Sequence, residues 1–191
     1  MNAQTQNNPV EAEINAIVQN QRDHFRTNAT LPIAFRLKQL KKLEGLLRAH
    51  EEALYEAIYN DFGKSRHHTQ LTELFPLFEE LEQAVKHLED WAKPRKVSTN
   101  LLNQPGKSYI VAEPLGTTLV IGAWNFPYNL SLIPVVGSMM AGNTTVLKPS
   151  ELPVETSALM AKIINENFDP GYLHVVEGGL PEPTALLNQR W

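Results

Sequence analysis

Residues 113–151 decide the fold. They read Glu-Pro-Leu-Gly-Thr-Thr-Leu-Val-Ile-Gly-Ala-Trp-Asn-Phe-Pro-Tyr-Asn over positions 113–129, then an apolar run, then Gly-Asn-Thr-Thr-Val-Leu-Lys-Pro-Ser-Glu over positions 142–151. The short, β-branched run Thr117–Ile121 has the composition of a buried parallel strand. The apolar run over 130–140 predicts a buried helix, and Gly142 with Asn143 should end it in a left-handed conformation. Residues 144–147 predict a second strand, so the stretch predicts one crossover unit with parallel strands.

Polar residues follow each of these two strands. Trp124, Asn125 and Phe126 lie between a glycine and a proline, which interrupt regular structure, and should be exposed. Lys148-Pro149-Ser150-Glu151 follows the second strand. Ligands of open parallel sheets bind beyond the carboxyl ends of the strands. We therefore expect Asn125 and the Lys148/Glu151 pair at one binding edge.

The residues before this stretch predict four helices. Asn8 and Pro9 suit the start of the first, Thr30-Leu31-Pro32 begins the second, and the third ends near Phe62-Gly63. The fourth, which Pro94 ends, carries apolar residues spaced by three and four: Leu71, Leu74, Phe75, Phe78, Leu81, Val85, Leu88 and Ala92. Such stripes fit either an independent bundle or helices laid on a sheet. The parallel sheet that follows favours the second, because both of its faces need cover.

The rest of the chain predicts more strand–helix units. Residues 96–107 are polar and contain a turn signal, and residues 108–112 predict a strand. A helix over 154–167, a third strand over 173–176 and a last helix from Pro181 to the chain end at Trp191 follow. Repeated strand–helix units predict an α/β fold with a doubly wound parallel sheet, which is left with an open edge. We divide the chain into a helical part over 1–95, a linker over 96–116 and the sheet over 117–191.

Composition excludes several function classes. The chain has 191 residues, a hydrophobic content of 42% and a net charge of -4, and it has no basic tract for nucleic acid. Residues 1–8 lack an apolar signal-peptide core and residues 130–142 are too short to span a bilayer, so a cytoplasmic location is expected. There is no cysteine, which excludes a thiolate nucleophile within this chain. The six histidines include no pair at i, i+4 spacing, so no metal site is predicted.

Four short motifs together resemble those of the aldehyde dehydrogenase superfamily. They are Glu113-Pro114-Leu115-Gly116, Trp124-Asn125-Phe126-Pro127, Gly142-Asn143 and Lys148-Pro149-Ser150-Glu151. Their wording is most similar to the class 3 branch, which handles fatty and aromatic aldehydes, and the chain covers less than half of a typical member. The resemblance implies that 1–95 and 117–191 are the helical layer and first strand–helix units of a Rossmann-like NAD(P)-binding domain. It also implies an oligomerisation arm over 96–116 and a catalytic domain outside this chain.

The resemblance also implies roles for single residues. Asn125 would hold the oxyanion that forms when a Cys thiolate attacks the aldehyde, whereas an isolated Asn there would more often be the N-cap of the next helix. Lys148 and Glu151, with Ser150 in the same motif, would bind the adenosine ribose. Without the motif, Lys148 and Glu151 would instead indicate a strand-end Lys on the surface and a Glu favoured by the helix dipole. Four residues would line the cofactor cleft, and alone would indicate strand, turn and packing: Ile121, Gly122, Ala123 and Trp124.

The activity implied is oxidation of an aldehyde to a carboxylic acid, with NAD as cofactor and NADP as an alternative. In the family the catalytic Cys and Glu lie downstream of the segment that this chain resembles, and the complete protein would be a homodimer. We therefore expect this chain alone to bind the dinucleotide weakly and to show no turnover. Two alternatives stay open: a truncated, non-catalytic nucleotide-binding or assembly module, and a helical interaction domain with a vestigial sheet.

Overall fold

Helices make up more than half of the described chain. A computed structural model describes residues 9–191. Its helices are α1 (Pro9–Arg26), α2 (Ile33–Ala49), α3 (Glu51–Phe62), α4 (Arg66–Thr69), α5 (Phe75–Trp91), α6 (Pro127–Ala141), α7 (Val154–Asn165) and α8 (Pro181–Leu187). A π-helical turn over Gln70–Leu74 joins α4 to α5, and a 3₁₀ turn covers Leu101–Asn103. The Asn8 cap predicted for α1 lies outside the described residues.

Two small sheets carry the strands. Strands β1 (Arg95–Val97) and β2 (Ser108–Ile110) pair antiparallel and form the short arm. Strands β3 (Thr117–Ile121), β4 (Thr144–Lys148) and β5 (Leu173–Val175) pair in parallel in the order β3-β4-β5. Helices α6 and α7 connect them, as parallel strands require. The predicted α/β fold with a short parallel sheet is confirmed, and β3 and β5 form its edges in the described chain.

A glycine in left-handed conformation ends α6. Gly142 has a φ of 90°, and its N–H donates to the carbonyl oxygen of Met139 at 3.1 Å. An L side chain is strained at this φ, and a Cβ there would also meet the Arg36 guanidinium at 2.7 Å. The predicted stop at Gly142 is therefore confirmed, and the chain turns directly into β4.

Helices cover both faces of the parallel sheet. Side chains alternate across a strand, so neighbours on β4 enter different cores. Leu147 belongs to the core that contains residues of α2, α3, α5, α6 and α7, whereas Val146 belongs to the core that contains residues of α1 and α8. Both residues are completely buried. The interpretation of the N-terminal helices as layers on a sheet is thus confirmed, and the independent bundle is wrong.

The fourth predicted helix differs from the structure at its N-terminal end. Its apolar stripe was expected to begin at Leu71, but Leu71 and Phe75 are 56% and 53% exposed, and Glu73 is fully buried. The π-helical turn is the cause, because its i→i+5 hydrogen bonds widen one turn and shift the positions that face the core. A helical wheel with a constant period cannot show this shift.

Other element ends differ by a few residues. Helix α6 begins at Pro127 rather than at residue 130, β2 ends at Ile110 rather than at 112, and α8 ends at Leu187 instead of continuing to Trp191. Among residues 9–191, no helix combines the length and the apolar composition needed to cross a membrane.

Candidate active site

The carboxyl ends of β3 and β4 lie side by side. Ile121 is the register partner of Lys148, and the N–H of Gly122 donates to the carbonyl oxygen of Lys148 at 2.9 Å. Whatever follows these two strands therefore emerges at the same edge of the sheet. The structure brings residues 122–126, here called the Asn125 loop, and the Lys148–Glu151 turn to this edge, as the sequence predicts.

The side-chain amide of Asn125 has no structural task. Asn125 is exposed, and among residues 9–191 no hydrogen bond uses its amide group. The N-cap position of α6 belongs to Phe126, which cannot supply a capping side chain. The N-cap interpretation of Asn125 is therefore wrong. Its two N–H donors face solvent beside the strand end, where they are free for a ligand.

A buried carboxylate from the π-helical turn caps α6 instead. Glu73 is 0% exposed, and its Oε2 accepts hydrogen bonds from the backbone N–H groups of Tyr128 and Asn129, both at 3.1 Å. Its Oε1 accepts from Lys64 Nζ at 2.7 Å, and the same Nζ donates to the carbonyl oxygen of Asn125 at 2.8 Å. Burial raises the pKa of Glu73, while Lys64 and the two N–H groups oppose that shift.

Sequence reasoning missed both members of this pair. The sequence did contain one indication that Glu73 is buried. It lies four residues before Leu77 and eight before Leu81, on the row of the helix whose leucines are buried. A carboxylate on an apolar row is rarely buried without partners. Lys64 had no such signal, since it follows the end of α3 and its partner Asn125 lies 61 residues away.

Lys148 is buried although it ends a strand. Its exposure is 2%, and its Nζ donates to the carbonyl oxygen of Pro149 at 2.6 Å and lies 3.8 Å from Glu151 Oε2. Burial lowers the pKa of Lys148, while Glu151 and two further carboxylates, Glu182 and Glu177, oppose that shift. The interpretation of Lys148 as a surface lysine is therefore wrong.

The turn after β4 forms one wall of a small cavity. Ser150 Oγ accepts a hydrogen bond from the N–H of Leu152 at 3.3 Å, and the carbonyl oxygen of Ser150 accepts from Ser157 Oγ at 2.7 Å. Glu151 remains about half exposed. The cavity measures about 130 Å³ and is lined by Pro149, Ser150, Glu151, Val154, Ser157, Glu177 and Gly178. Two of the acids around Lys148, Glu177 and Glu182, were not among the predicted site residues.

The other predicted lining residues differ in what they can do. Ile121 and Trp124 are 49% and 54% exposed, so both can contact a ligand, and Ala123 is half-buried. Gly122 is buried, and a Cβ there would run into Ser131 of α6 and lie 3.4 Å from Cα of Pro149. Its lack of a side chain is thus explained by packing between the strand end and α6.

Both crossover helices receive their caps from the helical layer. Helix α7 begins after Pro153, which has no capping group, and its N–H groups at Glu155 and Thr156 donate to Asp61 at 3.1 and 2.8 Å. Glu73 does the same for α6. A helix N-terminus normally attracts a phosphate, but here protein carboxylates already occupy both. A dinucleotide pyrophosphate therefore has no helix N-terminus to bind at α6 or α7.

Comparisons with known proteins point to one family. A model of the aldehyde dehydrogenase family matches residues 3–189. Aldehyde dehydrogenase family 3 member H1 of Arabidopsis thaliana is 41% identical over 180 residues, which are 94% of this chain and 37% of that protein. The dimeric NADP-preferring aldehyde dehydrogenase of Canis lupus familiaris is 37% identical over 180 residues, 94% of this chain and 40% of that protein. The structure of substrate-bound AldH from Staphylococcus aureus matches with a TM-score of 0.89 at 38% identity, covering 91% of this chain and 38% of that one. The chain thus spans well under half the length of the proteins it matches.

Proposed function

The chain belongs to the aldehyde dehydrogenase family, and from that premise we propose that it contributes to NAD(P)-dependent oxidation of an aldehyde to a carboxylic acid. Asn125 is the donor that stabilises the oxyanion. Lys148 and Glu151, beside Ser150, hold the adenosine ribose of the dinucleotide. The exposed faces of Ile121 and Trp124 contact the bound cofactor, and Gly122 and Ala123 let the chain pass close to it.

The parallel register of Ile121 and Lys148 carries this proposal. It sets the Asn125 loop and the Lys148 turn at one edge of the sheet, where ligands of open parallel sheets bind. The free amide of Asn125 supports a ligand-directed role, because protein groups have taken over the capping for which an Asn is often used. The position of Lys148 supports another, since its Nζ at the strand end donates to the carbonyl oxygen of Pro149 and an ammonium has further donors for a ligand.

The donor set fits a ribose. The Lys148 ammonium can donate to one hydroxyl and the Glu151 carboxylate can accept from another, and Lys148 Nζ lies 3.8 Å from Glu151 Oε2, so the donor and the acceptor are neighbours. The Glu151 charge disfavours a 2′-phosphate and so favours NAD. NADP stays an alternative, because the canine relative is named NADP-preferring.

The dinucleotide, when bound, accepts the hydride from the substrate carbon. The residues of this chain contribute electrostatics and position. Asn125 remains neutral at all working pH values, so its N–H donors stabilise the alkoxide without themselves exchanging a proton. The nucleophile must come from outside this chain, which contains no cysteine. A homodimer built with the β1–β2 arm and a cytoplasmic location remain proposals from the sequence.

Substitution of Asn125 in the complete enzyme tests the proposal. Asn125→Ala should lower kcat by about 10²- to 10³-fold, the usual effect of losing one oxyanion donor, and should leave KM for NAD nearly unchanged. Asn20→Ala is the matched control, because Asn20 is an exposed asparagine on α1. An unchanged kcat, measured where hydride transfer limits the rate, would refute the role.

Cofactor binding by the chain itself is tested separately. A fluorescence titration with NADH, compared between the wild-type chain and Lys148→Met, measures the ribose contribution. Binding that Lys148→Met weakens supports the ribose clamp, and binding that it leaves unchanged contradicts the clamp. If this chain binds NADH but the complete protein shows no dehydrogenase activity, the non-catalytic nucleotide-binding module is supported instead.

A further inference from the structure

An ion pair lies directly beneath the Asn125 loop. Glu73 comes from the π-helical turn and is completely buried, and Lys64 follows the C-terminus of α3 with 12% of its side chain exposed. Their charged atoms are 2.7 Å apart. Neither residue is near the loop in sequence, since Lys64 lies 61 positions before Asn125 and Glu73 lies 55 positions before Tyr128.

The two side chains form hydrogen bonds with backbone groups on both sides of Phe126. Lys64 donates to the carbonyl oxygen of Asn125 at 2.8 Å, and Glu73 accepts from the N–H groups of Tyr128 and Asn129. The Lys64 ammonium also lies 4.6 Å from the centre of the Phe126 ring. Every backbone polar group that the pair contacts is within four residues of the Asn125 side chain.

Stability alone does not explain this arrangement. A buried ion pair contributes little net stability, because desolvation of both charges offsets their attraction, and an apolar pair of similar size often does as well. What an apolar pair cannot do is form hydrogen bonds to three backbone groups, one in the Asn125 loop and two in the first turn of α6 that follows it. The π-helical turn strengthens the point, since such turns often occur at functional sites and this one places Glu73 inside the protein.

An oxyanion donor depends on such fixation. Donors stabilise the developing charge when they are already in position before the reaction, and a site loses efficiency when its supporting residues leave it about 1 Å too loose. The Asn125 side chain has no hydrogen bond of its own among the described residues. Its position is therefore set by the backbone that carries it.

We propose that Glu73 and Lys64 are positioning residues, which hold the Asn125 loop in the conformation that aims its amide at the reacting carbonyl. This inference rests on the proposed role of Asn125 as the oxyanion donor. It assigns a catalytic consequence to the helical layer, which contains no residue that touches the substrate in the proposed function.

A double-mutant cycle in the complete enzyme tests the inference. Glu73→Gln should lower kcat by about 10-fold, an order of magnitude less than a full misplacement of a catalytic group can cost, and should leave KM for NAD within about two-fold. In the Asn125→Ala background the same change should have no further effect on kcat, because the donor that it positions is gone. Lys64→Arg, which keeps a charged donor, should retain more activity than Lys64→Met.

The matched control is the exposed ion pair of the same helical layer. Arg66 donates to both carboxylate oxygens of Glu52, at 2.5 and 2.6 Å, and Glu52→Gln should leave kcat unchanged in either background. If Glu73→Gln does not fold, the variant Lys64→Met/Glu73→Gln removes both charges together and leaves no unpaired charge. This double variant should then lower kcat by about 10-fold and have no further effect on kcat in the Asn125→Ala background.

A second readout does not depend on activity. In the 191-residue chain, Glu73→Gln should speed hydrogen exchange at the Tyr128 and Asn129 amides, whereas amides in the last turn of α6 should keep their protection. An equal loss of kcat in both backgrounds, or no loss while Asn125→Ala is impaired, would overturn the positioning role and leave the proposed function intact. An Asn125→Ala enzyme with full kcat would overturn the proposed function itself.

Discussion

Gly122 gives the sharpest test of how the strand end is packed against α6. It follows β3 directly and is buried, and a Cβ built on it would collide with Ser131 Oγ, lie 3.1 Å from Ser131 Cβ and lie 3.4 Å from Cα of Pro149. Ser131 Oγ has no hydrogen-bond partner among the described residues. The hydroxyl could rotate away, but the Cβ and the proline backbone cannot.

The size of the effect follows from these contacts. Adding a methyl group to a tightly packed site typically costs about 1–3 kcal/mol, and the lower chain entropy of Ala in the unfolded state returns about 0.4–1 kcal/mol. With central values of about 2 and about 0.7 kcal/mol for these two effects, Gly122→Ala should lower the free energy of unfolding by about 1.3 kcal/mol. Ser131→Ala should be nearly neutral or stabilising, because it removes an unsatisfied buried hydroxyl, and it should reduce the cost of Gly122→Ala.

Urea unfolding of the 191-residue chain, followed by circular dichroism, measures these free energies. Gly45→Ala is the control, because Gly45 is exposed within α2 and a Cβ there meets nothing within 4 Å. It should stabilise the protein by about 0.5–1 kcal/mol, the helix preference of Ala over Gly. A Gly122→Ala protein as stable as wild type would refute the packing explanation, as would a cost that Ser131→Ala does not reduce.

Three further changes test a helix cap, a buried histidine and the cofactor-binding turn. Asp61→Ala removes the acceptor for the first N–H groups of α7 and should cost about 0.5–2 kcal/mol in the same urea assay, so an unchanged stability would contradict the cap. Burial lowers the pKa of His174 below its usual 6.5, although Glu13 opposes the shift. The unfolded chain therefore binds its proton first as the pH falls below 6.5, and stability is lost as the pH passes through the folded pKa. His174→Gln should lose less stability than wild type between neutral and mildly acidic pH, and equal slopes would contradict this. Glu151→Gln in the complete enzyme should weaken NAD more than NADP, by on the order of 1 kcal/mol for a partly exposed charge pair, and equal changes in the two Kd values would show that Glu151 does not face the 2′ position.

Local sequence was sufficient for the elements of the parallel sheet. Thr117–Ile121 was predicted to the residue, and Gly142 ends α6 with the expected left-handed backbone. These features depend on neighbours in the chain: a β-branched run favours an extended backbone, and a glycine permits a positive φ. The predicted start of α5 was wrong because a π-helical turn precedes it. Contacts with the rest of the protein stabilise such a turn, and a helical wheel with a constant period takes no account of them.

Sequence also singled out Asn125, Lys148 and Glu151 as the groups proposed to act at the site, because the motifs that contain them resemble those of one family. Only the tertiary structure decided what those groups are free to do. It removed the capping role from Asn125 by bringing Glu73 to α6, and it buried Lys148, which sequence placed at a strand end. The reason is physical: hydrogen bonds between Glu73 and Tyr128 or Asn129, and between Lys64 and Asn125, join residues more than 50 positions apart. Propensity and spacing describe the chain over a few turns, whereas burial and hydrogen-bond partners are set by whichever distant segment packs against it.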